Sequence, residues 1–191
     1  MEIEFDLKYL KAVALSAGVK DVRYYLNGVC VFAEPRGVFA AATNGHRLAI
    51  ARVGEFDGET FSTIIPSDVV SAIKPPKTIT RITLDTKANT LSTGGVTHSF
   101  KPVEGQFPDL WRIIPERITT EVAANYQPRY LLDAHKAIQL CSHRGALEWD
   151  GIYQNGDSSG VIHSVACPEL VQVVMPIRCA RGAPDTFTLP F

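Results

Sequence analysis

The sequence predicts an α+β fold assembled from repeated half-domains, each a short helix followed by a small antiparallel sheet. Two observations carry that prediction. A plan of short alternating strand, Asp or Pro, and then an apolar pattern of helical period recurs three times. Each recurrence is followed by strand-like runs with turn residues between them. The lead-in residues Asp6, Pro66 and Pro128 stand 60 and 62 positions apart.

In the first unit, Ile3-Glu4-Phe5-Asp6 precedes Leu7, Leu10, Val13 and Ala14 at helical spacing. Strands are predicted at Val22 to Leu26, Val29 to Ala33, Val38 to Ala42 and Leu48 to Val53, with turns at Asn27-Gly28 and Pro35-Arg36-Gly37. The second unit runs from Thr63-Ile64-Ile65-Pro66 into a helix with Val69, Val70 and Ile73. Its strands are Ile79 to Leu84, Thr90 to Thr93 and Val96 to Lys101, around turns at Lys87-Ala88-Asn89 and Gly94-Gly95. In the third, Ala124 to Pro128 leads into a helix with Leu131, Leu132 and Ile138. Strands follow at Ala146 to Tyr153, Val161 to Val165 and Leu170 to Met175, with a loop from Asn155 to Gly160.

One helix with one small sheet is too little to close a core, so the units must pair. Residues 1–115 hold two units and form a complete domain, 116–178 hold a third unit, a half domain, and 179–191 form a tail. The odd half is left without a partner in the chain, which predicts an exposed sheet edge, an open apolar face and association into an oligomer.

Composition sets the outer limits. With 191 residues, 46% hydrophobic and 20% charged, and a mean hydropathy of +0.04, the chain is globular and not disordered. No apolar run approaches the roughly 18 residues of a membrane span, and Met1-Glu2-Ile3-Glu4 opens acidic where a secretory signal opens basic. A cytoplasmic location is the expectation. Nineteen Lys and Arg against 20 Asp and Glu exclude a bulk polycation, so any nucleic-acid contact must come from local patches. Cys30, Cys141, Cys167 and Cys179 are widely spaced without a C-x-x-C, which suits buried free thiols in a reducing compartment.

Enzyme signatures are thin: no G-x-S-x-G, no G-x-x-x-x-G-K-[ST] and no G-x-G-x-x-G occurs. Thr43-Asn44-Gly45-His46-Arg47 places a His beside an Arg, but no local carboxylate orients the imidazole, and no catalytic residue is assigned. Cys141, His143, His163 and Cys167 have zinc-ligand atom types at a tighter spacing than usual, and buried thiols with surface histidines explain the same letters; no metal is assigned. Basic residues are more suggestive. Lys8, Lys11, Lys20 and Arg23 lie on or just after the first helix, Lys74 and Lys77 end the second, and Arg129 and Lys136 sit on the third. Positive charge on three equivalent helices suits duplex DNA phosphates without sequence preference.

Five segments then carry a resemblance. Arg23-Tyr24-Tyr25-Leu26-Asn27-Gly28, Ala42-Thr43-Asn44-Gly45-His46-Arg47-Leu48-Ala49, and Glu104-Gly105-Gln106-Phe107-Pro108-Asp109 through Ile114-Pro115 resemble motifs of the middle domain of the bacterial DNA polymerase III β sliding clamp family, in order and spacing. Tyr130-Leu131-Leu132-Asp133-Ala134 and Val173-Val174-Met175-Pro176-Ile177-Arg178 resemble the second half of that family's last domain. The resemblance implies the DNA-clamp fold and a processivity factor for DNA replication, without catalysis or cofactor, whose helices line a pore around duplex DNA. It also implies an apolar cleft for short peptides of polymerases and repair proteins. The matching residues are Leu26, Thr43, Gly45, His46, Arg47, Leu48, Pro108, Arg112, Ile113, Val173, Met175, Pro176, Ile177 and Arg178. Their types agree, since Leu, Ile, Val, Met and Pro form an apolar floor and the arginines can hold peptide carbonyls or acidic flanks.

The departures from the family pattern also shape the expectation. The family's first domain and the first half of its last are missing, and Asn44 stands where the family usually has Asp. Either a tetramer closes a ring of half-domains, or a dimer shares two odd halves and acts as a peptide-binding adaptor or decoy that never encircles DNA. The tail ends Asp185-Thr186-Phe187-Thr188-Leu189-Pro190-Phe191, which resembles clamp-binding peptides lacking their leading Gln, and is expected to occupy the cleft of its own or a neighbouring chain.

Overall fold

The computed structural model describes residues 1–74, 78, 80–115, 124–142 and 151–177. Strand β1 (Glu2–Asp6) runs directly into helix α1 (Leu7–Ala14), whose Leu7, Leu10 and Val13 turn inward as their spacing predicts. Strands β2 (Gly28–Glu34), β3 (Gly37–Thr43) and β4 (Arg47–Gly54) complete the first unit. The second repeats the plan as β5 (Phe61–Pro66), α2 (Ser67–Ala72), β6 (Arg81–Asp85), β7 (Thr90–Thr93) and β8 (Val96–Ser99). The third contributes α3 (Pro128–Cys141), with proline in its first turn, then β9 (Ile152–Asn155), β10 (Ser158–Ile162) and β11 (Leu170–Val174).

The first two units exchange strands. β1 leaves its own unit to pair antiparallel with β6, from Glu2 opposite Asp85 to Asp6 opposite Arg81, giving a four-stranded sheet β1-β6-β7-β8. β5 makes the reciprocal crossing to β2, from Gly28 opposite Pro66 to Ala33 opposite Phe61. Gly28 is needed at that crossing, because a Cβ there would lie 2.6 Å from the Ile65 carbonyl oxygen.

The expectation that the third unit lacks a partner in the chain is corrected here. Its β11 pairs antiparallel with β4, Leu170 opposite Ala51 through Val174 opposite Arg47, so that one seven-stranded sheet runs β5-β2-β3-β4-β11-β10-β9. The reason is that β4 would otherwise end the first unit's sheet with its backbone groups unpaired, although its residues 47–51 are all buried. Strand alternation then sorts the side chains of this sheet. One face carries Ala40, Ala42, Ala49 and Ala51, small enough for α1 and α3 to lie close against it, and shares a core with Leu170, Val174, Ala137 and Ile138. The other presents Phe39, Ala41, Leu48, Ile50 and Val173 to the segment from Phe107 to Ile114, where Trp111 meets Phe39 edge-on at 5.4 Å.

Three local expectations also change. Val22 to Leu26 is no strand: Val22 is 94% exposed and Tyr24–Leu26 form a 3₁₀ turn. Asp21 accepts from the Arg23 N–H and guanidinium, and Asn27 bonds both backbone groups of Asp21, so local polar bonds close a loop in place of a hairpin. The lead-in 124–127 forms no ladder among the described residues; the Asn125 carbonyl accepts from the Ile177 N–H instead. The loop from Asn155 to Gly160 shrinks to a turn at Gly156-Asp157, with Gly156 at a φ of 58° and β10 beginning at Ser158.

Lys11 ties the two helices of the first domain together. Its ammonium donates to the Val70 and Ile73 carbonyls at the end of α2, at 2.5 and 2.6 Å. Burial, with Lys74 nearby, lowers its pKa. Replacement Lys11→Met keeps the stem and removes both bonds, so we expect a loss of about 1–3 kcal/mol in urea unfolding. An unchanged midpoint would show that this contact contributes nothing to stability.

Candidate functional site

The turn joining β3 to β4 is built by its own side chains. The Thr43 hydroxyl donates to the Arg47 carbonyl at 2.7 Å and accepts from the Gly45 N–H at 3.1 Å. Asn44 Oδ1 accepts from the N–H groups of His46 and Arg47 at 3.0 and 3.1 Å. A carboxamide oxygen thus supplies the acceptor that an Asp at this position would supply. Gly45 has a φ of 86°, a conformation that favours glycine, and lies against the Arg23 guanidinium. The turn throws His46 outward and Arg47 inward.

Arg47 is a junction residue. Its guanidinium meets Asp133 at 2.7 Å, donates to the Leu15 carbonyl and lies 4.6 Å from the centre of the Tyr130 ring, with only 8% of the side chain exposed. The first unit's β4 is thereby fastened to the end of α1 and to α3 of the third unit. A further bond crosses the same boundary, Tyr9 donating to Glu169 at 3.0 Å, and within the third unit the buried Gln172 amide donates to the Ala134 carbonyl at 3.1 Å. Burial first, and then the Glu169 carboxylate, push the Tyr9 pKa upward. Arg47 was expected to hold peptide; in the structure its two terminal nitrogens are engaged within the chain.

Where β11 leaves the junction, Met175 donates its N–H to the His46 carbonyl at 2.9 Å. Beside it a cavity of about 230 Å³ is lined by His46, Gln127, Tyr130, Met175, Pro176 and Ile177. Met175 and Ile177 are 41% and 46% exposed and stand side by side at this pocket. Four of the expected cleft residues, His46, Met175, Pro176 and Ile177, therefore converge on one pocket. Gln127 and Tyr130 were missed, although Tyr130 stands inside one of the segments that carried the resemblance and opens the third helix.

The other expected cleft residues sit elsewhere. Leu48, Val173 and Ile113 belong to the cluster on the opposite sheet face, and Leu26 is buried. Pro108 lines a separate cavity of about 240 Å³ with Cys30, Phe32, Glu34 and Trp111. Arg112 is exposed and lies 3.2 Å from Asp109. Thr43 and Gly45 shape the turn, and Arg178 lies outside the described residues, as does the tail.

The basic residues are spread over more than one kind of place. Helix α1 lies between α2 and α3, so the three helices share one side of the molecule. Lys74 at the end of α2 and Arg129 in the first turn of α3 are exposed. Lys136 is exposed 3.7 Å from Asp133, while Lys8 is half-buried 4.0 Å from Asp6 and over the Tyr9 ring. Lys11 is committed to α2 as described above. Lys20 lies on the exposed turn after α1, and Arg23 is held by Asp21 and the Asn44 carbonyl beside the β3–β4 turn rather than on a helix. Arg23 in turn holds the Asp21 pKa down at about 2. Lys77 lies outside the described residues.

Cys141 and Cys167 are buried, and burial pushes their thiols up to about 12 and about 11. His163 Nε2 is 3.3 Å from the Pro168 carbonyl, and His143 lies outside the described residues. Among the described residues no group of three or more His, Cys, Asp or Glu could hold a metal ion, and no helix is long and apolar enough to cross a membrane.

Comparison with known proteins gives concordant results. Residues 5–109 match the family described as the central domain of the DNA polymerase III beta subunit. The chain is 26% identical over 137 residues to the beta sliding clamp of Haemophilus influenzae, covering 66% of this chain and 37% of that protein. To the beta sliding clamp of Rickettsia felis it is 24% identical over 176 residues, covering 82% and 46%. It thus spans less than half the length of these curated relatives. Among solved structures, a DNA polymerase sliding clamp from Pseudomonas aeruginosa superposes with a TM-score of 0.71 at 18% identity, covering 94% of this chain and 66% of that one. The DNA polymerase III beta subunit of Thermotoga maritima gives a TM-score of 0.70 at 18% identity, with coverages of 94% and 66%.

The junction chemistry is directly testable. In Arg47→Ala the Asp133 carboxylate loses its main partner, and we expect a loss of about 3 kcal/mol in unfolding free energy. Because Cys141 and Cys167 lie in the core shared across the boundary, both thiols should also react with a maleimide at pH 8 before global unfolding, whereas the parent chain protects them. Unchanged protection in the variant would show that Arg47 does not hold the units together.

Proposed function

The chain belongs to the DNA polymerase III beta subunit family, and on that premise we propose that it is a replication accessory which docks partner peptides at the β4–β11 junction and contacts duplex DNA through its helices. Its family consists of processivity factors, which act through topology and docking and not through catalysis. Residues 1–115 would form the complete clamp-like domain, which encloses the matched span 5–109, and 116–178 the half domain beside it.

The observation that carries the peptide reading is the pocket of His46, Gln127, Tyr130, Met175, Pro176 and Ile177. It is open and largely apolar, and its methionine can repack around different side chains. Arg23 lies beside Asn44 and Gly45 next to the turn that carries His46, its charge paired with Asp21. Leu48, Val173 and Ile113 support the reading from behind, as the packed cluster on the other sheet face of the same two strands.

The DNA reading is supported by the alignment of the three helices on one side and by the exposed Lys74, Arg129 and Lys136. A second reading, a peptide-binding adaptor without DNA encirclement, is favoured by the commitment of Lys11 to α2 and the nearness of Asp133 to Lys136. Each of these reduces the charge offered to phosphate.

Binding of a fluorescent peptide with a Leu-Phe clamp-binding sequence, followed by anisotropy, tests the first part. We expect Met175→Glu to weaken it at least about tenfold, roughly 1.4 kcal/mol, and equal affinity for parent and variant would remove the pocket from the proposal. Changing Lys74, Arg129 and Lys136 to Glu together should abolish salt-sensitive binding to duplex DNA on the processivity reading. On the adaptor reading the same change leaves DNA association as weak as in the parent and peptide binding intact.

A further inference from the structure

We propose that the cavity between β2 and the segment from Phe107 to Trp111 is a separate binding site, shaped for a small organic ammonium ion with an aromatic or branched aliphatic body. It shares no lining residue with the peptide pocket at the β4–β11 junction, so the inference does not depend on that reading.

Strand alternation builds the floor. Cys30, Phe32 and Glu34 stand two positions apart on β2 and so share a sheet face, and Ser62 on the neighbouring β5 lies opposite Phe32. Phe107, Leu110 and Trp111 form the facing wall, and the space between is about 240 Å³. One aromatic ring with a short arm fits such a volume. The walls are held in place without a ligand, because Phe32 stacks on the buried Phe39 at 5.5 Å and Trp111 meets the same ring edge-on at 5.4 Å.

The charge of the lining is one-sided. Glu34 and Asp109 line the cavity, and among the described residues no Lys, Arg or His does. Burial pushes the Cys30 thiol up to about 11, so the floor adds no further charge at neutral pH. Asp109 is engaged by the Trp111 backbone N–H and by Arg112, each at 3.2 Å, which leaves Glu34 as the acceptor. Glu34 Oε2 accepts from the Trp111 indole N–H at 3.3 Å, whereas Oε1 is buried and accepts no hydrogen bond among the described residues. The Arg36 Nε lies 3.6 Å from Oε1, near enough for an ion pair and beyond hydrogen-bonding distance. A buried carboxylate oxygen without a donor is costly, and a ligand N–H brought to it removes that cost.

Arg36 shows which kind of group the site selects. Its guanidinium lies 4.3 Å from the centre of the Trp111 ring while pairing with Glu34, so one cation of the chain already uses that ring and that carboxylate together. Its side chain is 61% exposed and does not line the cavity, so it holds them from the solvent side. A ligand ammonium in the cavity meets the same two groups from within, with the rings of Phe32 and Phe107 around its apolar body. A neutral or anionic molecule of the same shape lacks the attraction to both ring and carboxylate, so charge and not shape sets the selectivity.

Proton–nitrogen NMR spectra of the full chain, titrated with phenethylammonium chloride, test this. The Trp111 indole N–H should shift saturably, and phenethylammonium should bind at least about tenfold tighter than phenethyl alcohol, its neutral analogue, while phenylacetate should not bind. Glu34→Gln keeps an acceptor for Trp111 and removes the charge, so it should lower the affinity for the ammonium to that for the alcohol. Phe107→Ala should weaken both ligands alike, and Arg36→Gln should tighten the ammonium severalfold by removing its competitor. An unmoved Trp111 signal, equal affinity for ammonium and alcohol in the parent, or a preference that survives Glu34→Gln overturns the proposal. Met175→Glu should leave ammonium binding unchanged, which separates this site from the fate of the peptide pocket.

Discussion

The structure depends on the ladder between β4 and β11 and on the guanidinium that locks it. Without that pairing the molecule would be a two-unit domain followed by a loose helix and three short strands. With it, a single sheet crosses from one unit into the next, and α1 and α3 are drawn onto the same face. Arg47 enforces the arrangement because its charge is buried, and a buried cation is tolerable only when it is paired, here by the Asp133 carboxylate and the Leu15 carbonyl on its two terminal nitrogens, while Nε has no partner among the described residues. Asp133 and the Leu15 carbonyl come from two different helices, so satisfying one side chain fixes three elements at once.

The same lock positions the pocket. Arg47 is turned inward by Asn44 and Thr43, and the residue before it, His46, is turned outward by the same bonds. Its carbonyl then receives Met175, which ends the ladder and leaves Met175, Pro176 and Ile177 at the surface next to Tyr130. Tyr130 belongs to both, since its ring lies against the Arg47 guanidinium and also lines the pocket. The junction and the pocket therefore share a wall, and on the proposed reading a docked peptide would sit on the boundary that holds the units together.

Small residues make the geometry possible. Alanines at 40, 42, 49 and 51 keep the helix-facing side of the sheet low, and the bulk is moved to the other face, where Phe39, Leu48, Ile50 and Val173 meet Trp111 and its neighbours. A sheet buried on both faces at its centre has no place for polar side chains except where they are satisfied, and Gln172 meets that condition by donating to the Ala134 carbonyl.

Much of this was legible in the residues. The three helices, the hairpins around Pro35-Arg36-Gly37 and Gly94-Gly95, and the recurrence that marks the units follow from short-range periodicity and turn chemistry, which depend only on neighbours in sequence. That His46, Met175, Pro176 and Ile177 lie together was readable because the resemblance grouped them, and they line one pocket. What the sequence alone could not decide was every relation between distant segments. Local bonding by Asp21 and Asn27 turned an apparent strand into a 3₁₀ loop, and the inward turn of Arg47 engages its two terminal nitrogens with Asp133 and the Leu15 carbonyl. The strand exchange and the pairing of β4 with β11 depend on which backbone edges are left unsatisfied once each unit has folded. That is a property of three-dimensional proximity, to which no periodicity in the chain is sensitive.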